Sequence, residues 1–145
     1  MNINIETRVQ QGFLKVKEGF NESLFTKLSP PFPPVKLLRF DGSKKGDIVS
    51  LELNFIFFKQ KWTSEITKDS TSDKEFYFID KGVELPFFLK EWQHKHRIIK
   101  SDEGSIIRDE ITYKSGFSLM TYLLYPALFI QFLYRKPIYK KIFKI

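Results

Sequence analysis

Two histidines stand one residue apart in Trp92-Gln93-His94-Lys95-His96-Arg97-Ile98. On a strand, Trp92, His94, His96 and Ile98 point one way, and Gln93, Lys95 and Arg97 the other. The second set is strongly polar, so the first faces the interior. In the segment that follows, Ile107, Asp109, Ile111 and Tyr113 share a face, with Arg108, Glu110 and Thr112 behind them. Asp109 is then the one acid on an apolar face. A turn at Ser101-Asp102-Glu103-Gly104, symmetric about its two central residues, sets the register. It places His96 opposite Asp109, His94 opposite Ile111, Trp92 opposite Tyr113 and Ile98 opposite Ile107. A buried acid without a partner is costly, so an inward histidine beside an inward aspartate is physically sensible.

Such a pair admits four roles. It can tie the sheet together as a satisfied hydrogen-bonded pair. It can anchor the polar end of an otherwise apolar ligand. It can act as acid and base, with Asp109 orienting His96, although no nucleophile or oxyanion hole accompanies it. His-x-His plus an acid is also a metal-ligand set, but this spacing is weakly specific and no metal is expected. Catalytic assignment therefore goes no further than His96 and Asp109 as candidates, and the chemistry leans away from an enzyme. The glycines follow no nucleotide-binding order, and no strand carries an RNA-binding signature, so neither a nucleotide cofactor nor a nucleic-acid partner is expected.

The elements that must position these residues are legible from periodicity. Ile3, Ile5, Thr7 and Val9 alternate with polar residues as a half-buried first strand. Phe20, Leu24, Phe25 and Leu28 recur at helical spacing, predicting one helix from about Lys17 to Leu28. Ser29-Pro30-Pro31-Phe32-Pro33-Pro34 ends it. Six strands follow: Val35 to Phe40; a strand with Val49, Leu51, Leu53, Phe55 and Phe57 on one face; one with Trp62, Ser64 and Ile66 inward; Glu75 to Asp80; and the two histidine and aspartate strands. Lys81 to Lys90 reads as irregular. A charge-free segment, Phe117 to Tyr134, then reads as a helix that continues to about Phe143 and packs across the sheet, because a sheet face this apolar cannot stay in water. Its length and apolarity also make it a transmembrane candidate.

Composition narrows the function classes. There is no cysteine, which excludes disulfides, thiolate metal sites and cysteine nucleophiles and fits a reducing, cytoplasmic setting. The N-terminus lacks the apolar core of a signal peptide. Of the net charge of +7, five charges lie after Tyr134, at Arg135, Lys136, Lys140, Lys141 and Lys144. This basic tail reads either as a solvated helix end or as a peripheral contact with an anionic membrane. No linker or composition shift divides the 145 residues, so one domain is expected.

The order strand, helix with a proline-rich break, six strands, long helix resembles the START-like superfamily, also called SRPBCC or Bet v 1-like. More specific are Leu38-Arg39-Phe40-Asp41-Gly42, Gly46-Asp47 and Phe78-Ile79-Asp80. Most specific is Leu85-Pro86-Phe87 leading to Trp92-Gln93-His94-Lys95-His96, then Asp109-Glu110-Ile111-Thr112-Tyr113, with Phe132-Leu133-Tyr134-Arg135-Lys136 at the close. These are similar to a bacterial ligand-binding branch, although relatives often have glycine where Leu85 stands. The resemblance implies an α+β helix-grip fold, a curved antiparallel sheet wrapped around a C-terminal helix, with an apolar small molecule between them. On that reading Val49, Leu51, Leu53, Phe55, Trp92 and Tyr113 line the sheet side. Tyr122, Pro126 and Phe129 contribute from the helix, and His94, His96 and Asp109 hold a polar end. The alternatives are an enzyme of the cyclase, hydratase or hydrolase type in the same cavity, and a membrane-associated interaction module.

Overall fold

The computed structural model describes all 145 residues. Strict alternation becomes strand: β1, Asn2–Val9, buries every second side chain. The segment expected as one helix is two short ones, α1 (Phe13–Glu18) and α2 (Glu22–Lys27). The break has local causes. Gly19 leaves room for the Phe143 ring, which a Cβ there would meet at 2.5 Å. Asn21 then starts α2 as an N-cap, its side-chain oxygen accepting the Leu24 N–H at 3.0 Å. Phe20, freed from any helix, stacks against Tyr139 and Phe143.

The six further strands are β2 (Val35–Phe40), β3 (Ile48–Asn54), β4 (Lys59–Thr71), β5 (Glu75–Glu84), β6 (Glu91–Ser101) and β7 (Gly104–Lys114). All pair antiparallel in the order β1-β7-β6-β5-β4-β3-β2. β5 is longer than the sequence pattern predicts; its pairing with β4 continues to Glu84, through a register shift between Thr63 and Ser64. The β6–β7 register is the one expected from the turn: Trp92 opposite Tyr113, His94 opposite Ile111, His96 opposite Asp109, Ile98 opposite Ile107.

β3 ends earlier than the run of alternating residues suggests. Phe55, Ile56, Phe57 and Phe58 form the turn into β4. Phe57 N–H donates to Phe55 O at 2.9 Å, and Ile56 sits at φ 76°, a three-residue turn of the uncommon positive-φ kind. Phe57 therefore leaves the inner face and is 93% exposed.

The C-terminal helix is also two helices, α3 (Ser118–Leu133) and α4 (Arg135–Ile142). Pro137 explains the junction, because it has no N–H to give to the Leu133 carbonyl four residues back. Pro126, inside α3, lies on its exposed side, so the carbonyl it deprives of a partner meets solvent. α3 buries only Leu128 and Phe132 and leaves Leu119, Tyr122, Leu123 and Ile130 largely exposed. No helix is long and apolar enough to cross a membrane.

The basic segment is not a free tail. α4 lies against β1, with Tyr139 and Phe143 buried and the Lys136 ammonium donating to the Glu6 carbonyl. Two apolar clusters result. One joins α1, α2 and α4 to β4, β5 and β6 through Val16, Leu24, Ile66, Phe76, Ile98 and Tyr139. The other joins α3 to β1, β6 and β7 through Ile3, Trp92, Ile111, Tyr113, Leu128 and Phe132. Between them the sheet and helices enclose open space.

Candidate functional site

A cavity of about 510 Å³ lies between the concave face of the sheet and the helices. Of its 34 lining residues 22 are hydrophobic, so any occupant must be largely apolar. β3 contributes Val49, Leu51 and Leu53, which alternation turns inward, and Phe55 follows them at the turn. Trp92, His94 and His96 line it from β6. The remaining expected residues lie elsewhere. Asp109 is 1% exposed and sits behind the histidines. Tyr113 is buried, its hydroxyl donating to the Thr121 carbonyl at 2.8 Å. Tyr122 and Pro126 are on the exposed side of α3, and Phe129 packs on Tyr125. The cavity side of α3 is instead Met120, Leu124, Ala127, Leu128 and Gln131.

The polar floor contains an acid that the sequence reading passed over. Asp80 follows Phe76 and Phe78 on the inner face of β5 and stands directly opposite His94. An acid in step with inward apolar residues, the signal that picks out Asp109, is present there too. Each histidine thus has an aspartate directly across, Asp80 from His94 and Asp109 from His96. Neither uses it for its short hydrogen bond. His94 Nε2 is 2.8 Å from Asp109 Oδ1, and His96 Nε2 is 2.6 Å from Asp80 Oδ2. The bonds run diagonally, as side chains of this length can in a twisted sheet. The pairing expected for Asp109 was with His96; the diagonal contact to His94 takes its place, leaving His96 Nδ1 3.9 Å from Asp109 Oδ1. His94 Nδ1 is 3.7 Å from Asp80 Oδ2. Two acids and two imidazoles alternate around a closed ring.

Aromatic rings clamp this cluster. The imidazoles lie with centroids 3.5 Å apart, Phe78 stacks on His96 at 4.2 Å, and Phe132 meets His94 edge-on at 5.0 Å. Trp92 Nε1 donates to Asp80 Oδ1 at 3.1 Å. The Asp80 carboxylate remains 16% exposed and lines the cavity.

The electrostatics follow from burial and these bonds. Burial pushes the Asp80 carboxyl up, but the hydrogen bond and charge of His96, with His94 and Trp92, hold it below the ordinary carboxylate value. Burial likewise opposes ionisation of Asp109, and the His94 bond, with Arg135 nearby, overcomes it. For His96, burial and then the neighbouring His94 outweigh the two carboxylates and lower it from 6.5 to about 4. Facing the Asp80 carboxylate, neutral His96 donates a hydrogen bond from Nε2–H, so Nδ1 carries a lone pair, and it is buried without a partner. One ring nitrogen of His94, one of His96 and an Asp80 oxygen lie within 4.8 Å of one another, a spacing that a metal ion would accept. The bonds just described satisfy Asp80 and both Nε2 atoms without one.

Two further cavity residues are Arg135, which the sequence analysis places in the basic end and in the closing motif, and Tyr139, to which it gives no role. Their helical spacing from Gln131 was the available signal.

No protein-family model matches the chain. A stretch of 78 residues is 31% identical to Serpin A11 of Rattus norvegicus; it spans 54% of this chain but only 18% of that protein. Similarity to solved structures covers far more of the chain. The di-domain aromatase/cyclase StfQ of steffimycin biosynthesis superposes on 98% of this chain and 50% of its own with a TM-score of 0.70 and 10% identity. Norcoclaurine synthase from Thalictrum flavum superposes on 88% and 76% with a TM-score of 0.60 and 11% identity. Ara h 8.0201 superposes on 95% and 96% with a TM-score of 0.57 and 11% identity. At such identities the likeness is one of fold: a seven-stranded curved antiparallel sheet closed by C-terminal helix.

Proposed function

We propose that this chain, built on the helix-grip fold of the Bet v 1-like, or START-like, superfamily, binds an apolar small molecule in its central cavity. The observation that carries this reading is the cavity of about 510 Å³, walled by aliphatic and aromatic side chains and polar at only a few points. Val49, Leu51, Leu53, Phe55 and Trp92 form its apolar wall, and Asp80, His94 and His96 form its polar floor. Structures of the same fold include a plant enzyme solved in complex with dopamine and hydroxybenzaldehyde, both compact aromatic molecules. The test is titration with the neutral fluorophore N-phenyl-1-naphthylamine, alongside native mass spectrometry of the purified protein. Saturable one-to-one binding is expected, weakened in a folded Leu51→Trp variant that narrows the cavity. A protein that binds neither this probe nor any co-purifying molecule would end the proposal.

A second reading is an enzyme of the cyclase, hydratase or hydrolase type, favoured by one observation: the Asp80–His96 pair borders the cavity, where it could move a proton on a bound molecule. A His96→Gln protein that keeps its ligand and loses turnover would support it over simple carriage.

A further inference from the structure

We infer that the molecule this cavity takes carries an anionic head, a carboxylate or its equivalent, received by Arg135 and Tyr139 with Gln131 beside them. The inference rests on the binding reading above and names the ligand class.

The three residues stand at intervals of four, so they form one stripe that continues from α3 into α4 on a single face. All three line the cavity. The guanidinium of Arg135 lies over the Phe132 ring, 4.4 Å from its centroid. It makes no ion pair and no hydrogen bond of ordinary geometry, although it lies beside the Tyr139 hydroxyl and has five N–H donors available. Of the other four arginines, three pair with an acid, Arg39 with Asp41, Arg97 with Glu75 and Arg108 with Glu6, and the fourth, Arg8, is exposed to solvent. The acid closest to Arg135 in effect is Asp109, whose Oδ1 is already taken by His94.

Tyr139 supplies the second, independent observation. It is fully buried, and its hydroxyl has no hydrogen-bond partner. Burial raises its pKa well above the ordinary value, so the oxygen keeps its proton and is a donor. Arg135 lies close enough to this hydroxyl to offset part of that rise. A buried hydroxyl left unsatisfied is unfavourable. A partly buried guanidinium without a counterion is similarly unfavourable. One acceptor anion answers both, and a planar carboxylate matches the guanidinium fork.

The test compares two probes that share a ring system, 8-anilino-1-naphthalenesulfonate and the neutral N-phenyl-1-naphthylamine, with decanoate and decanol as unlabelled competitors. The wild type should prefer the anion of each pair. Arg135→Met should lose that preference by about 10- to 100-fold while holding the neutral probe within about twofold. Arg135→Lys should recover part of it, and Tyr139→Phe should weaken the anion alone. A Lys140→Met, Lys141→Met double variant removes more charge outside the cavity and should leave the preference intact. Equal binding of acid and alcohol by the wild type, or a preference that survives Arg135→Met, would overturn the inference and leave apolar binding standing. Failure to bind either probe would instead remove the binding reading beneath it.

Discussion

Acid should destabilise this protein through His96 before its carboxylates titrate. His96 is nearly inaccessible, stacked between Phe78 and His94, and its pKa is lowered from 6.5 to about 4. The unfolded chain takes a proton at this residue near pH 6.5, whereas the folded chain resists until about 4. Between those values the unfolded state binds more protons, so stability falls as pH falls. At 1.36 kcal/mol per pH unit the full span corresponds to roughly 3 kcal/mol, a large part of an ordinary domain's stability. The added proton must sit on Nδ1, the atom that has no hydrogen-bond partner and faces Asp109 Oδ1 across 3.9 Å. Urea unfolding followed by the fluorescence of Trp62 and Trp92, repeated from pH 7.5 to 4.5, measures the slope. His96→Gln keeps a donor toward Asp80 and has nothing to titrate, so its stability should change by about 2–3 kcal/mol less over this range. Parallel curves for the two proteins would refute the reasoning. A wild type that gains stability toward acid would mean that the folded state holds His96 as imidazolium, with the two carboxylates outweighing burial.

Three other substitutions probe the frame around the site. Asp109→Ala leaves His94 Nε2 facing a void in a dry interior and should cost about 3–5 kcal/mol in chemical unfolding, against a smaller loss for Asp109→Asn, which keeps an acceptor in place. Ile56→Gly should raise stability by about 1 kcal/mol, since a β-branched residue at φ 76° is strained and this side chain is 75% exposed. Gly104→Ala should be strongly destabilising, by about 2 kcal/mol or more in the same assay, because its φ is 132° and a Cβ there would lie 2.2 Å from the Val9 carbonyl.

The two strands that carry the histidines and Asp109 are legible because period two leaves little freedom. A one-residue slip would have turned Asp109 outward and Arg108 inward, so the turn at Ser101–Gly104 and the apolar faces agree on one register. Opposition across a ladder does not name the hydrogen bond, however. The twist that carries His94 to Asp109 and His96 to Asp80 is a property of three adjacent strands, and it requires knowing that β5 lies next to β6. Asp80 was hidden by that same dependence, although its alternation with Phe76 and Phe78 was in view. The C-terminal helices show the opposite failure. Their apolar residues surround the axis rather than marking one face, so Tyr122, Pro126 and Phe129 could not be told from Leu124, Leu128 and Gln131 by pattern. Charge misled at Arg135, which sits among lysines in sequence but turns from them into the cavity. Pro137, one turn after the break it causes, was the signal that α3 and α4 are separate.

The pairing of β1 with β7 bears on how the chain reaches this state. Ile3 stands opposite Ile111 and Val9 opposite Ser105, so residues about a hundred positions apart must meet before β1 has any partner. The neighbouring hairpins, β6 with β7 above all, close over short loops and lose little entropy in forming. The first strand gains nothing until the last has been laid down, and α4 can dock on β1 only afterwards. A sheet joined in this way belongs with the slow, high-contact-order folders, on the scale of milliseconds to seconds. Until β1 arrives, β7 is an open edge bearing Ile107, Ile111 and Tyr113, and α4, which brings Arg135 and Tyr139 to the cavity, has no strand to dock on.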